Sequence, residues 1–166
     1  MEKLSEHLSL SEVIYSYRAK KLNIDNTPTS EHLKNLKNIA ENIFEPIRKH
    51  FNTPIYISSG YRSNKLNKST PGSSSTSQHV LGEALDLDQD GKNNGITNNE
   101  IFEYIKNNLN FDQLIAEGLK GNGQIGWVHV SYKSNGSQRK EIKLMRYQKN
   151  KPIYESYSDE RFRELL

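Results

Sequence analysis

Two separated segments, residues 77–88 and 126–132, constrain this chain more than any other feature. The first reads SQHVLGEALDLD and the second reads GWVHVSY. From residue 83 the first segment alternates as a β-strand does, which places Asp86 on the face opposite its two flanking leucines. In the second segment His129 shares a face with Trp127 and not with the valines. Each segment therefore predicts a strand with one apolar face and one face that carries metal-ligand side chains.

His79, Asp86 and His129 are the candidate ligands of one metal ion. If the two strands are neighbours, two imidazoles and one carboxylate converge, and Gly82 lets the chain turn between His79 and its strand. The chain has no cysteine, which excludes disulfides and thiolate sites together. Two histidines and one carboxylate leave the fourth position of a zinc ion for water, as in catalytic zinc sites. The sequence thus predicts a catalytic Zn²⁺ site.

The motifs around these residues resemble the D-Ala-D-Ala carboxypeptidase and L-Ala-D-Glu endopeptidase family of zinc peptidases, the M15 group. The family pattern Ser-x-His-x-x-Gly-x-Ala-x-Asp is complete between Ser77 and Asp86, and a Trp-x-His follows at residues 127–129. Residues 58–63 (SSGYRS) and 111–115 (FDQLI) also match and occur in the family's order. The resemblance covers roughly residues 8–132 of the chain.

The resemblance implies an α+β fold of the hedgehog/DD-peptidase type. A small antiparallel sheet would carry the zinc site and pack against N-terminal helices. At 166 residues we expect one domain, with a core over about residues 8–147 and a C-terminal tail over 148–166. The implied substrates are peptidoglycan stem peptides, cut by a D,D-carboxypeptidase or an L-Ala-D-Glu endopeptidase in cell-wall lysis. Small size suits a phage or phage-derived endolysin.

The resemblance also implies residues that contact substrate. Arg62 is the candidate cation for a substrate carboxylate or carbonyl oxygen, since a guanidinium fork matches a carboxylate. The alternative for Arg62 is a surface charge. Tyr61, Ser77 and Ser131 are candidate substrate-binding residues, and Ser131 is equally consistent with a structural role.

The candidate general base is Glu117. Relatives in the family place a Glu or Asp three positions before the last ligand, but Gly126 occupies that position here. A strand, a glycine-rich loop and the His129 strand predict a hairpin that returns Glu117 to the site. The alternatives are Glu83, which alternation directs away from Asp86, and a strand-end surface charge at Glu117.

Residues 88–100 resemble a calcium loop of the EF-hand type. The candidate calcium ligands are Asp88, Asp90, Asn94 and Glu100. The segment has one residue too many for that loop, and Lys92 stands where a ligand is expected. The alternative is a polar turn before a helix, because Thr97 and Glu100 also form a capping box.

Composition limits the other functions. The net charge of +3 is spread along the chain and forms no basic stripe with aromatic residues, which argues against nucleic-acid binding. No apolar run approaches the ~20 residues needed to span a bilayer, and the N-terminus lacks the apolar stretch of a signal peptide. We expect a monomer made in the cytoplasm that acts on the bacterial cell wall.

Two other function classes stay open. One is a non-catalytic zinc-binding module, similar to hedgehog signalling domains that keep such a metal site, and Gly126 is its main support. The other is a structural virion component of the same fold. Cleavage of muropeptides that a chelator abolishes would distinguish the peptidase from both.

Three further segments carry predictions about structure. Residues 30–51 have the apolar spacing of an amphipathic helix, which Pro46 should kink or interrupt. Residues 64–76 are polar and predict an exposed loop beside the site. Residues 141–147 alternate as a strand, and residues 158–166 predict a last helix.

Overall fold

The computed structural model describes residues 2–166, with seven α-helices and six β-strands. The helices are α1 (Leu10–Ile14), α2 (Tyr17–Lys21), α3 (Ser30–Ile39), α4 (Glu45–Phe51), α5 (Asn64–Ser69), α6 (Asn98–Asn108) and α7 (Asp159–Leu165). The strands are β1 (Ile57–Ser59), β2 (Ala84–Leu87), β3 (Gln113–Leu119), β4 (Trp127–Ser131), β5 (Glu141–Gln148) and β6 (Lys151–Ser156). None of the described helices is both long and apolar enough to cross a bilayer.

The six strands form one sheet in the order β1-β2-β4-β3-β5-β6. Neighbouring strands are antiparallel except β3 and β5, which are parallel. The predicted hairpin is confirmed as β3 and β4. After β4 the chain crosses to the other side of β3 and enters β5. The predicted α+β class is therefore confirmed, with one parallel pair in a mainly antiparallel sheet.

The two faces of the sheet differ in polarity because successive side chains of a strand point to opposite sides. One face packs into the hydrophobic core and carries Leu85, Leu87, Leu114, Ala116, Val128, Val130 and Leu144, all buried. The helices contribute Leu36, Ile39, Ile43, Ile47, Ile101, Phe102 and Ile105 to the same core. The other face carries Asp86, Glu117 and His129, the residues on which the predicted chemistry depends.

The amphipathic segment at residues 30–51 is helical throughout, with an interruption near Pro46. Thr29 caps α3 by accepting a hydrogen bond from the His32 backbone N–H at 3.1 Å. A π-helical turn, Ala40–Phe44, joins α3 to α4, and Pro46 lies in the first turn of α4. Proline is tolerated there because a first-turn N–H has no partner within its own helix.

The loop predicted at residues 64–76 is wrong for its first half. Residues 64–69 form α5, which begins after Ser63, whose hydroxyl accepts a hydrogen bond from the Leu66 N–H. Leu66 is buried in the protein. A single N-cap serine and one apolar residue thus form a short helix in a segment too polar to show helical periodicity.

The segment expected as a C-terminal tail is part of the fold. The helix predicted near residue 158 is confirmed as α7, and Phe162 on it is buried in the core. The strand β6 was not expected, since KPIYES contains a proline and little apolar sequence. It pairs with β5 along its whole length and forms one edge of the sheet.

Candidate metal centre

The predicted ligands His79, Asp86 and His129 converge on the open face of the sheet. Asp86 lies opposite His129 in the register of β2 and β4. Asp86 Oδ1 is 2.9 Å from His129 Nδ1 and 3.2 Å from His79 Nε2. One ligand atom from each residue lies within 4.8 Å of the other two. This spacing allows all three side chains to bind one cation.

The backbone around His79 fixes the orientation of its imidazole. The residue lies in a 3₁₀ turn, Gln78–Leu81, and is 2% exposed. Its Nδ1 is 2.6 Å from the carbonyl oxygen of Gly60. Because a carbonyl only accepts hydrogen bonds, Nδ1 carries the proton and Nε2 keeps a free lone pair. A metal-binding histidine is commonly oriented in this way through its other nitrogen.

Burial and the shared carboxylate set the protonation of the three ligands. Burial alone would raise the pKa of Asp86, but the two imidazoles hold it below its ordinary value. Burial lowers the pKa of His79. Burial opposes the charged form of His129 too, but its hydrogen bond to Asp86 outweighs this and raises the pKa. Two nitrogens and one carboxylate oxygen suit a zinc ion, whose charge would replace the proton on His129.

Glu117 lies on the same face as the ligands, on β3. Its register partner is Trp127, two residues before His129 on β4. Its side chain lines the same cleft as His79, Asp86 and His129 and is 9% exposed. Burial, together with the negative charge of Asp86, raises the pKa of Glu117 to about 7. A carboxyl group whose pKa lies near neutral pH, beside candidate metal ligands, has the property expected of a general base.

Crowding in the β3–β4 hairpin disfavours a side chain at position 126. A Cβ atom at Gly126 would lie 3.0 Å from the carbonyl oxygen of Gly118 and 3.1 Å from that of Glu117. The Gly126 N–H donates to the Glu117 carbonyl at 2.8 Å, which draws the two strands together. A side chain at the position that carries an acid in the resembling family would therefore require the facing backbone to move by a few tenths of an ångström.

Arg62 is a cation that lines the cleft close to the ligands. Its backbone N–H donates to the His79 carbonyl at 3.2 Å. Its side chain is half-buried, and its Nε is buried without a hydrogen-bond partner among the described residues. Burial lowers the pKa of Arg62, opposed by the charges of Asp86 and Glu117. Its guanidinium is therefore held at the site with donors available to a ligand.

The cleft has a volume of about 1040 Å³ and is bounded by a floor and two walls. The sheet forms its floor. Residues 71–78, between α5 and β2, form one side and include Ser77, a candidate substrate-binding residue. The β5–β6 hairpin forms the other side with Lys143, Met145, Tyr147, Pro152 and Tyr154. Sequence reasoning missed this wall, although Lys143, Met145 and Tyr147 alternate with apolar positions of β5.

The structure does not bring Tyr61 and Ser131 into the cleft. Tyr61 is buried, and its hydroxyl is 3.0 Å from His32 Nδ1 on α3. Ser131 is fully buried, and its hydroxyl accepts a hydrogen bond from the Gln113 N–H at 3.0 Å. Both side chains join elements of the scaffold. Alternation along a strand indicates a face, but not where neighbouring elements cover that face.

Three of the four candidate calcium ligands, Asp88, Asn94 and Glu100, make other hydrogen bonds, although the amide oxygen of Asn94 is buried without a partner among the described residues. Glu100 Oε2 accepts hydrogen bonds from the N–H and hydroxyl of Thr97, which is the capping box of α6. Asp88 Oδ1 accepts a hydrogen bond from the Asn98 side chain. The Asn94 amide donates to the Pro54 carbonyl at 2.9 Å. These contacts match the polar turn and helix cap, the alternative to a calcium site.

Asp112 organises the site although no role was predicted for it. It is fully buried at the start of β3 and accepts hydrogen bonds from Nε and Nη2 of Arg139. It also accepts one from Gln78, next to His79, at 3.1 Å. Burial alone would raise the pKa of Asp112, but these donors lower it to about 2. The carboxylate thus joins the turn of the first ligand to the segment that enters β5.

A family comparison agrees with this geometry. The model of a family described as Peptidase M15 matches residues 6–131. The match includes the three ligands, Glu117 and Arg62, and it ends before β5, β6 and α7. A search of curated proteins gave no match. Because the match covers most of the chain and the residues of its metal centre, the protein belongs to the peptidase M15 family.

Proposed function

We propose that this protein is a zinc-dependent peptidase that hydrolyses a peptide bond in peptidoglycan stem peptides. The observation that carries the proposal is the position of Glu117, a buried carboxyl group with a pKa of about 7 in the same cleft as two imidazoles and a carboxylate. A module that only bound zinc would have no need of a base at this position.

The residues divide the chemistry between them. A zinc ion held by His79 Nε2, Asp86 and His129 Nδ1 would supply a bound water of lowered pKa and would polarise the substrate carbonyl. Glu117 takes a proton on its carboxylate and gives it to the leaving amine. Both steps need a group that changes protonation near neutral pH. Burial of the Glu117 side chain brings its pKa into this range.

Arg62 and the other cations of the cleft favour an anionic peptide. Arg62, Arg139 and Lys143 all line it. Arg62 has an unpartnered buried nitrogen, so it is the cation best placed to bind a substrate carboxylate or carbonyl oxygen. Stem peptides carry free carboxylates, which suits such a site. The proposal includes cleavage of the D,D-carboxypeptidase or the L-Ala-D-Glu endopeptidase type. It also includes a role in cell-wall lysis by a phage or phage-derived enzyme.

The decisive experiment measures cleavage of purified muropeptides by mass spectrometry. We expect hydrolysis that a chelator abolishes and added zinc restores. The Glu117→Gln variant should bind zinc normally but lose about 100- to 1000-fold in kcat, since it cannot accept a proton. Glu41→Gln, an exposed glutamate on the π-helical turn, is the matched control and should retain full activity.

Two results would argue against the proposal. Zinc binding without chelator-sensitive cleavage would favour a non-catalytic zinc module or a structural component. Full activity in Glu117→Gln would leave the peptidase in place and remove Glu117 as its base. The masses of the products identify the bond, because loss of a terminal D-Ala and cleavage after L-Ala give different fragments.

A further inference from the structure

The wall of the cleft that the β5–β6 hairpin forms lies outside the family match. The match ends at residue 131, and the hairpin spans residues 141–156. The candidate ligands and Glu117 therefore lie in the part of the chain that the family model matches, whereas this wall lies outside that part. A substrate in the cleft lies between the two parts.

Tyr154 is the residue of this wall that the strand pairing links to Glu117. Ala116 pairs with Leu144, a bulge in the pairing follows, and the next residue on each strand, Glu117 and Met145, lines the cleft. Met145 in turn pairs with Tyr154. Met145 is only 1% exposed although it belongs to the cleft lining. Tyr154 lines the cleft together with the candidate ligands, and the charges of Glu117 and Asp86 both act on its hydroxyl.

The hydroxyl group of Tyr154 has no hydrogen-bond partner among the described residues, unlike those of several other tyrosines. Tyr61 contacts His32, Tyr104 donates to the Pro46 carbonyl, and Tyr157 donates to Asp159. Tyr154 is 51% exposed on the cleft side. Burial and the charge of Glu117 raise the pKa of Tyr154 to about 12, so it stays a donor at any working pH.

We propose that Tyr154 is a substrate-contacting residue, whose hydroxyl donates a hydrogen bond to a carbonyl or carboxylate oxygen of the bound peptide. Arg62 follows β1 and Tyr154 lies on β6, so the two donors stand at opposite edges of the sheet with the metal ligands between them. A peptide that crosses the metal centre would be held at both ends. This inference rests on the proposed function, because it needs a peptide in the cleft.

The Tyr154→Phe variant tests the contact, since it removes only the hydroxyl. We expect kcat/KM for muropeptide cleavage to fall about five- to tenfold, the effect of losing one neutral hydrogen bond. Zinc content and melting temperature should not change, because the hydroxyl makes no hydrogen bond to a described residue. Tyr15→Phe is the matched control, as Tyr15 is 57% exposed and does not line the cleft. A kcat/KM within twofold of wild type would overturn the inference.

A binding measurement separates this inference from the proposed function. Calorimetric titration of a stem tetrapeptide into Glu117→Gln, with and without Tyr154→Phe, reports affinity without turnover. We expect five- to tenfold weaker binding by the double variant. If wild type cleaves nothing, the peptidase proposal fails while this comparison still decides the role of Tyr154. Equal affinities, or no binding by either protein, would refute the contact.

Discussion

The most consequential single residue is Glu117, because the burial that raises its pKa, the property that suits it to the proposed role of base, also costs stability. Its pKa rises from 4.5 to about 7 in the folded protein. The folded state therefore holds this proton more tightly than the unfolded state does. The stability that protonation provides is complete below about pH 4.5 and is lost as pH rises through about 7.

This linkage predicts how Glu117→Gln changes the metal-free protein. At pH 8 the variant should melt about 5 °C above wild type, because it has no buried carboxylate to ionise. At pH 4 both side chains are neutral and the difference should vanish. Differential scanning calorimetry in chelator at the two pH values measures this. Glu41→Gln should match wild type at both, and a gain at pH 8 that persists at pH 4 would contradict the linkage.

Among the elements, the β3–β4 hairpin determines where the base and the last ligand lie. Gly118 follows Glu117 with φ +69°, and a Cβ atom there would lie 2.8 Å from the Trp127 ring. The Trp127 ring therefore packs tightly against Gly118, and Gly126 packs tightly against the backbone of Gly118. The predicted hairpin that identified Glu117 is confirmed, and it places Glu117 opposite Trp127 in the same cleft as the candidate ligands.

Comparison of two glycines separates crowding from backbone strain. Gly118→Ala and Gly121→Ala both place a side chain at positive φ, but a Cβ atom at Gly121 would have no neighbouring atom within 4 Å. We expect Gly121→Ala to cost about 1 kcal/mol in unfolding free energy, and Gly118→Ala roughly 1–3 kcal/mol more. Urea denaturation measures both. Only Gly118→Ala should also lower activity, and equal costs would show that the ring gives way freely.

At the scale of the whole molecule, sequence patterns predicted the core and the candidate ligands but not the wall of the cleft that the β5–β6 hairpin forms. Alternation and spacing are local signals, so they found β2, β4 and residues 30–51. The parallel pairing of β5 with β3 joins segments separated by a polar connection, and no local pattern records it. The polar composition of β6 and α7 likewise concealed that Phe162 packs against Phe102 and Tyr157.

The last helix therefore stabilises the whole fold, which a pair of variants on α7 can test. Phe162→Ala should lower the unfolding free energy by about 3 kcal/mol, because it empties a buried aromatic site. Arg163→Ala, exposed on the same helix, should change it by less than about 0.5 kcal/mol. Urea denaturation provides both values. A small loss in Phe162→Ala would mean that α7 only rests on the surface.

The crossover from β4 to β5 separates two tasks along the chain. The three candidate ligands and the proposed base Glu117 precede it, and one whole wall of the cleft follows it. Changes in the terminal hairpin can therefore alter which peptides are accepted without disturbing the ligand strands. Under the proposed function, substitutions confined to residues 141–156 would thus tune the choice of bond while the chemistry stays the same.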